Sequence, residues 1–100
     1  MMHSPVHPGL LVKEMLDQLP VSRAQVGLAL GLTQPHLSEL LQGRRNLTPR
    51  MALRLGAAFP NTTPEFWLTC QSNYELARMR RTYPVLDVPV LWDPTTQGNA

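Results

Sequence analysis

Two polar side chains set four residues apart, Gln34 and Ser38, stand just ahead of a run of cations. A glutamine amide contacts adenine in bidentate fashion, a serine hydroxyl bonds to either a donor or an acceptor, and a proline such as Pro35 packs on a thymine methyl. Arg44, Arg45, Arg50 and Arg54 fall in one window that holds no acid, in a chain whose net charge is only +2. The positive excess is therefore local, which is an anion-binding signal. Base edges and phosphates are the ligands that suit this combination: phosphate contacts fix register and base contacts choose sequence.

Reading base edges demands a rigid element that presents Gln34 and Ser38 together. Leu37, Leu40 and Leu41 follow the N-cap candidate Thr33 at helical spacing and precede Gly43, so this stretch reads as a short helix. Pro35 is tolerated because the amides of a first turn have no intrahelical acceptor. With the three leucines turned inward, a rotation of about 100° per residue leaves Pro35, Ser38, Glu39 and Gln42 outward, and Gln34 exposed at the leading end. Thr33 and the free amides of that end accommodate a phosphate. Gln42, Arg44, Arg45 and Asn46 lie at the other end, placed for further phosphates. Arg50 and Arg54, one turn apart, read first as a solvated face.

A second helix must brace the first. Ser22 caps it, Val26, Leu28 and Leu30 are its apolar positions, and Gly31 stops it. The link Gly31-Leu32-Thr33 is too short for antiparallel packing, so the two helices cross steeply, in helix-turn-helix geometry. Gly27 supplies the small residue at the crossing, between apolar groups from Val26, Leu30, Leu32, Leu37 and Leu40. Upstream, Pro8 opens a helix with Leu10, Leu11, Met15, Leu16 and Leu19, ended by Pro20. Downstream, Thr48-Pro49 and Thr63-Pro64 each pair a cap with a first-turn proline. The last helix carries Phe66, Trp67, Cys70 and Tyr74, expected to form a subunit contact, and closes on Arg78, Arg80 and Arg81.

The fold class expected is all-α, a five-helix domain over residues 1–81. From Thr82 the prolines at 84, 89 and 94 exclude a continuous helix, while Val85, Leu86, Val88, Val90, Leu91 and Trp92 favour an extended Pro-rich tail over 82–100, frayed from Thr95 to Ala100. Such a tail covers its own domain, pairs across a dimer or adds an edge strand to a partner's sheet.

Other functions find little support. One hundred residues make a single domain, and 43% hydrophobic with 16% charged residues argues against disorder. The longest uncharged stretch, Ala24 to Ser38, contains Gln25, Gln34 and His36, so no membrane helix is expected. The lone Cys70 and the lack of a secretory signal point to the cytoplasm. His3, His7 and His36 have no metal-ligand spacing, and no paired carboxylates, Ser/His/Asp order or phosphate loop suggests an enzyme, a cofactor or a small-molecule substrate.

The sequence resembles the Xre-like helix-turn-helix superfamily that includes phage repressors, and more closely its HigA-type antitoxin branch. The marks are His7-Pro8-Gly9; the run Ser22 to Asn46 with Ala29-Leu30-Gly31-Leu32, Leu37-Ser38-Glu39-Leu40 and Gly43-Arg44-Arg45; Ala52-Leu53-Arg54-Leu55; and Thr63-Pro64-Glu65-Phe66-Trp67-Leu68 with Tyr74 behind. The resemblance implies a homodimer joined through its last helix, a palindromic operator on double-stranded DNA in its own promoter, and neutralisation of a RelE-like ribonuclease toxin. The family usually has glutamine at Arg23 and alanine at Gly27. Arg23 still meets a phosphate, whereas Gly27 costs its helix up to about 1 kcal/mol relative to alanine. Two alternatives stand beside this reading: a toxin-binding interaction module with weak or no DNA binding, and a phage-type repressor without a toxin.

Overall fold

The computed structural model describes residues 5–97. The expected five helices form the domain: α1 (Pro8–Gln18), α2 (Arg23–Leu30), α3 (Gln34–Leu41), α4 (Pro49–Ala58) and α5 (Pro64–Thr82). Their starts follow the chemistry of the sequence. Ser22, Thr33, Thr48 and Thr63 each accept an amide of the first turn on the side-chain oxygen, and prolines occupy first-turn positions of α1, α3, α4 and α5.

α1 packs on α3 and α5, α2 on α3 and α4, and α4 lies along α5. The core between them is built from Val12, Val26, Leu30, Leu37, Leu40, Leu41, Leu47, Met51, Ala52, Leu55, Phe59 and Trp67. Trp67 is the largest fully buried side chain, at 1% exposure, and its indole N–H donates to Thr62 Oγ1 at 2.9 Å. Its apolar surface is thus spent inside its own subunit while its one donor is satisfied.

The start of α1 is fixed more tightly than its sequence shows. A Cβ at Gly9 would stand 1.7 Å from the Leu40 carbonyl oxygen, so glycine alone lets α1 close on α3. His7 caps this end: its Nδ1 accepts the Gly9 N–H at 2.9 Å, and its ring meets Tyr74 edge-on with centroids 4.9 Å apart. Burial pushes the His7 pKa below its ordinary value, against the opposing pull of the Glu75 carboxylate and the Arg45 backbone.

Two expectations need correction. Leu28, expected among the apolar positions of α2, is 83% exposed, because the buried residues Val26 and Leu30 lie about 40° apart on the wheel and set the inner face, whereas Leu28 falls on the opposite side. The end expected to fray from Thr95 instead begins as one helical turn, α6 (Pro94–Gln97), where the Asp93 carboxylate accepts the Thr95 N–H at 2.9 Å. The rest of that expectation lies outside the described residues. Between Tyr83 and Asp93 the chain has neither helix nor strand, and the molecule extends to 61 Å along its longest axis.

Candidate nucleic-acid interface

α2 and α3 are locked at their junction by a left-handed glycine. Gly31 has φ 69°, a conformation that costs other residues strain, and the Leu32 N–H donates to the Gly27 carbonyl at 2.9 Å. Ser22 and Gln25 form a reciprocal capping box on α2, at 3.1 and 2.8 Å, and Thr33 Oγ1 accepts the His36 N–H at 3.3 Å. At Gly27 a Cβ would lie 3.2 Å from the Leu32 carbonyl oxygen and 3.3 Å from Gln34 Nε2. The crossing expected at Gly27 is therefore close enough that a methyl group there would press on Gln34.

Seated in this way, α3 buries Leu37, Leu40 and Leu41 and turns its opposite side out. Gln34, Pro35 and Gln42 are exposed, and Ser38 and Glu39 are partly so. Gln42 Nε2 donates to Ser38 Oγ at 3.2 Å, and Arg44 donates to Gln42 Oε1. Arg45 Nη2 pairs with Glu39 Oε1 at 3.1 Å, and the Arg44 N–H donates to the Glu39 carbonyl at 2.8 Å. These bonds bring the arginine loop back against the end of α3, so its cations border the outward face.

The Glu39–Arg45 pair is solvated and contributes at most about 1 kcal/mol to stability. Its effect is to aim the guanidinium. On the other flank, Lys13 of α1 and Arg23 of α2 line one shallow groove with Ser38 and Gln42. The sequence pointed to Arg23 but not to Lys13, which lies far from α3 along the chain and is brought there only by the packing of α1 on α3.

Arg54 belongs elsewhere. Its Nη1 donates to the Ala29 carbonyl at 3.2 Å, so it satisfies the C-terminal end of α2. Sequence reasoning also missed Gln71, a buried side chain on α5. Its Oε1 accepts the Leu47 N–H at 2.8 Å, while its Nε2 reaches Glu75 Oε1 at 3.2 Å and Asn46 Oδ1 at 3.5 Å. It ties the loop after Arg45 to α5. The available signal was an amide one turn after Trp67, on the inward side of a helix.

The subunit contact expected at Phe66, Trp67, Cys70 and Tyr74 is corrected in part. Trp67 fills the core and Tyr74 packs on His7, because this side of α5 faces its own domain. Cys70 is half-buried, and burial raises its thiol pKa. Phe66 remains 46% exposed. Among the described residues no helix is long and apolar enough to cross a membrane, and no His/Cys/Asp/Glu cluster could hold a metal.

Residues 12–67, from the middle of α1 to the start of α5, match the helix-turn-helix family. The chain belongs to this family. It is 40% identical over 98 residues to virulence-associated protein A' of Dichelobacter nodosus, covering 98% of this chain and 84% of that protein. Among solved structures, antitoxin GraA is 32% identical with a TM-score of 0.77, over 90% of this chain and all of that one. The Pseudomonas aeruginosa antitoxin HigA, solved with the higBA promoter, is 30% identical with a TM-score of 0.74, over 88% of this helix-turn-helix chain and 99% of that one. The Xre-like, HigA-type resemblance of the sequence is thereby shown.

Proposed function

We propose that this helix-turn-helix chain is a dimeric transcriptional repressor that binds a palindromic operator in its own promoter, and the cytoplasmic antitoxin of a RelE-like ribonuclease toxin. The observation that carries the DNA half is the outward face of α3: it is polar, uncovered by the rest of the described residues, and bordered by cations. Gln34, Pro35 and Ser38 read bases in a major groove, while Arg23, Thr33, Gln42, Arg44, Arg45 and Asn46, joined by Lys13, hold phosphates. No catalytic role is assigned to the chain.

Dimerisation follows from size. An eight-residue helix is about 12 Å long and reaches only a few base pairs, so specificity requires a second copy on a half-site about 34 Å away or a multiple of that. The likeness to GraA, and to a HigA solved with promoter DNA, supports the antitoxin half.

Hydroxyl-radical footprinting of the upstream region tests the DNA half, with two protected half-sites related by a two-fold axis expected. Uniform cleavage along the region would overturn it. Co-expression with the adjacent reading frame tests the toxin half: relief of growth arrest is expected, and arrest unaffected by this chain would refute it.

A further inference from the structure

We infer that Glu75 of α5 is a positioning residue for the phosphate-binding loop: acting through Gln71 and His7, it holds the backbone from which Arg44, Arg45 and Asn46 reach DNA. The inference rests on the DNA half of the reading above and adds to it a residue on another helix, to which no contact with DNA is assigned.

From Arg44 to Leu47 the chain is neither helix nor strand, so its backbone groups need partners elsewhere. The buried Leu47 N–H finds one on Gln71 Oε1 at 2.8 Å. A glutamine amide offers a donor end or an acceptor end, and the loop needs the acceptor. What the other end meets decides the orientation. Gln71 Nε2 lies 3.2 Å from Glu75 Oε1 and 3.5 Å from Asn46 Oδ1. A carboxylate only accepts, so Glu75 takes the amide nitrogen and turns the oxygen toward Leu47. Reversing the amide would set its NH2 group against the Leu47 N–H and its oxygen against the carboxylate, leaving a buried donor unmet.

A second arm runs through His7. Its Nδ1 accepts the Gly9 N–H, so the neutral ring carries its proton on Nε2, a buried donor with no hydrogen-bond partner among the described residues. Beyond burial, the groups that act on this ring are the Glu75 carboxylate and the Arg45 backbone. The ring also packs beneath Gly43, the left-handed residue (φ 74°) that turns the chain from α3 into the arginine loop: a Cβ there would stand 3.5 Å from His7 Cβ and Cγ. On its other side the ring meets Tyr74. Gln71, Tyr74 and Glu75 share one face of α5, at i, i+3 and i+4. One arm therefore holds the loop at Gly43 and Arg45, the other at Asn46 and Leu47, and both lead back to Glu75.

The packing of α4 along α5 and the burial of Trp67 already seat α5 on the domain. The polar network adds a hold on the loop instead. Behind a phosphate-binding loop an anion by itself opposes DNA, so a carboxylate kept there calls for a positioning role.

That opposition gives the test its sign. Glu75→Gln keeps the shape of the side chain and removes its charge. Electrostatics alone then predicts tighter DNA binding. Positioning predicts the reverse: at least fivefold weaker binding to the upstream duplex at fixed salt by fluorescence anisotropy, and hydrogen exchange at the Leu47 amide at least tenfold faster, with helical circular dichroism kept. Glu65→Gln, an exposed acid of the same helix outside the network, is the control and is expected to bind at least as tightly as the wild type. Glu75→Asp keeps the charge but withdraws the oxygen from Gln71 by one methylene, and is expected to fall between Glu75→Gln and the wild type in both measurements. Affinity equal to or above that of the wild type in Glu75→Gln, or an unchanged Leu47 exchange rate, would overturn the inference. If Glu75→Gln loses its helical signal, the aspartate variant decides, and wild-type affinity and exchange in it would overturn the inference. A wild-type chain that binds upstream and scrambled duplexes equally and without salt dependence removes the DNA reading itself, whereas salt-dependent, selective binding matched by Glu75→Gln removes only the positioning role.

Discussion

The outward face of α3 and the segment from Leu86 to Trp92 are both exposed and neither contributes to the core, yet they are made of opposite materials. On α3 the exposed groups are amides and a hydroxyl bordered by guanidinium groups. Such groups leave water without loss only when a ligand returns their hydrogen bonds, as base edges and phosphates do. In the tail they are aliphatic and indole groups, which gain about 25 cal/mol per Å² simply by being covered. One domain thus presents a polar surface suited to a ligand that returns its hydrogen bonds and an apolar surface that gains by being covered. The first is rigidly seated by Gly9, Gly31 and Leu37; the second touches the domain where Leu86 lies against Leu76, Met79 and Tyr83.

The sharpest way to break the contrast is to unseat α3 alone. Gly9→Ala places a methyl group where the Leu40 carbonyl stands, and is expected to cost about 3 kcal/mol or more in urea unfolding, with operator binding lost while the tail is unaltered. Gln71→Ala comes next. It strands the buried Leu47 N–H, costs about 1–3 kcal/mol by the same measurement, and loosens the arginine loop, so that operator affinity falls more than dimer affinity. Gln34→Ala leaves stability within about 0.5 kcal/mol and removes about 1–3 kcal/mol of discrimination at one base position, read by binding to an operator mutated at each site.

The smallest effect is one of pH. Burial holds the His7 pKa below its ordinary value, so the unfolded chain takes up the proton first. Stability is complete above about pH 6.5 and declines as pH falls from there toward the folded value. Unfolding midpoints at pH 7.5 and 5.5 are expected to show this decline and to lose most of it in a His7→Gln variant.

Local signals made most of the helices legible. Ser22, Thr33, Thr48 and Thr63 announce helix starts and Gly31 announces the turn, because capping and left-handed backbone depend on neighbours a few residues away. The outward face of α3 was legible for the same reason, since three leucines fix the wheel. Contacts made across the fold were not. Gly9 meets Leu40 and Gln71 meets Leu47 over separations that no periodicity encodes, and Lys13 reaches the α3 groove only through helix packing. At Trp67 the expected subunit contact met a related ambiguity: large apolar groups at the start of α5 mark a buried side without saying what buries it, and Trp67 is buried by the chain's own core.

The central claim is that α3 enters duplex DNA with its cations on the phosphates. Fluorescence anisotropy of the full chain on the upstream duplex and on a scrambled duplex, each across a salt series, tests it most directly. Several phosphate contacts per subunit predict a steep linear fall of log affinity with log salt concentration, a slope reduced by about one for each Arg44→Ala or Arg45→Ala substitution, and a preference for the upstream duplex of at least about 1,000-fold. Equal affinity for the two duplexes, or a slope unchanged by losing either arginine, would contradict the account.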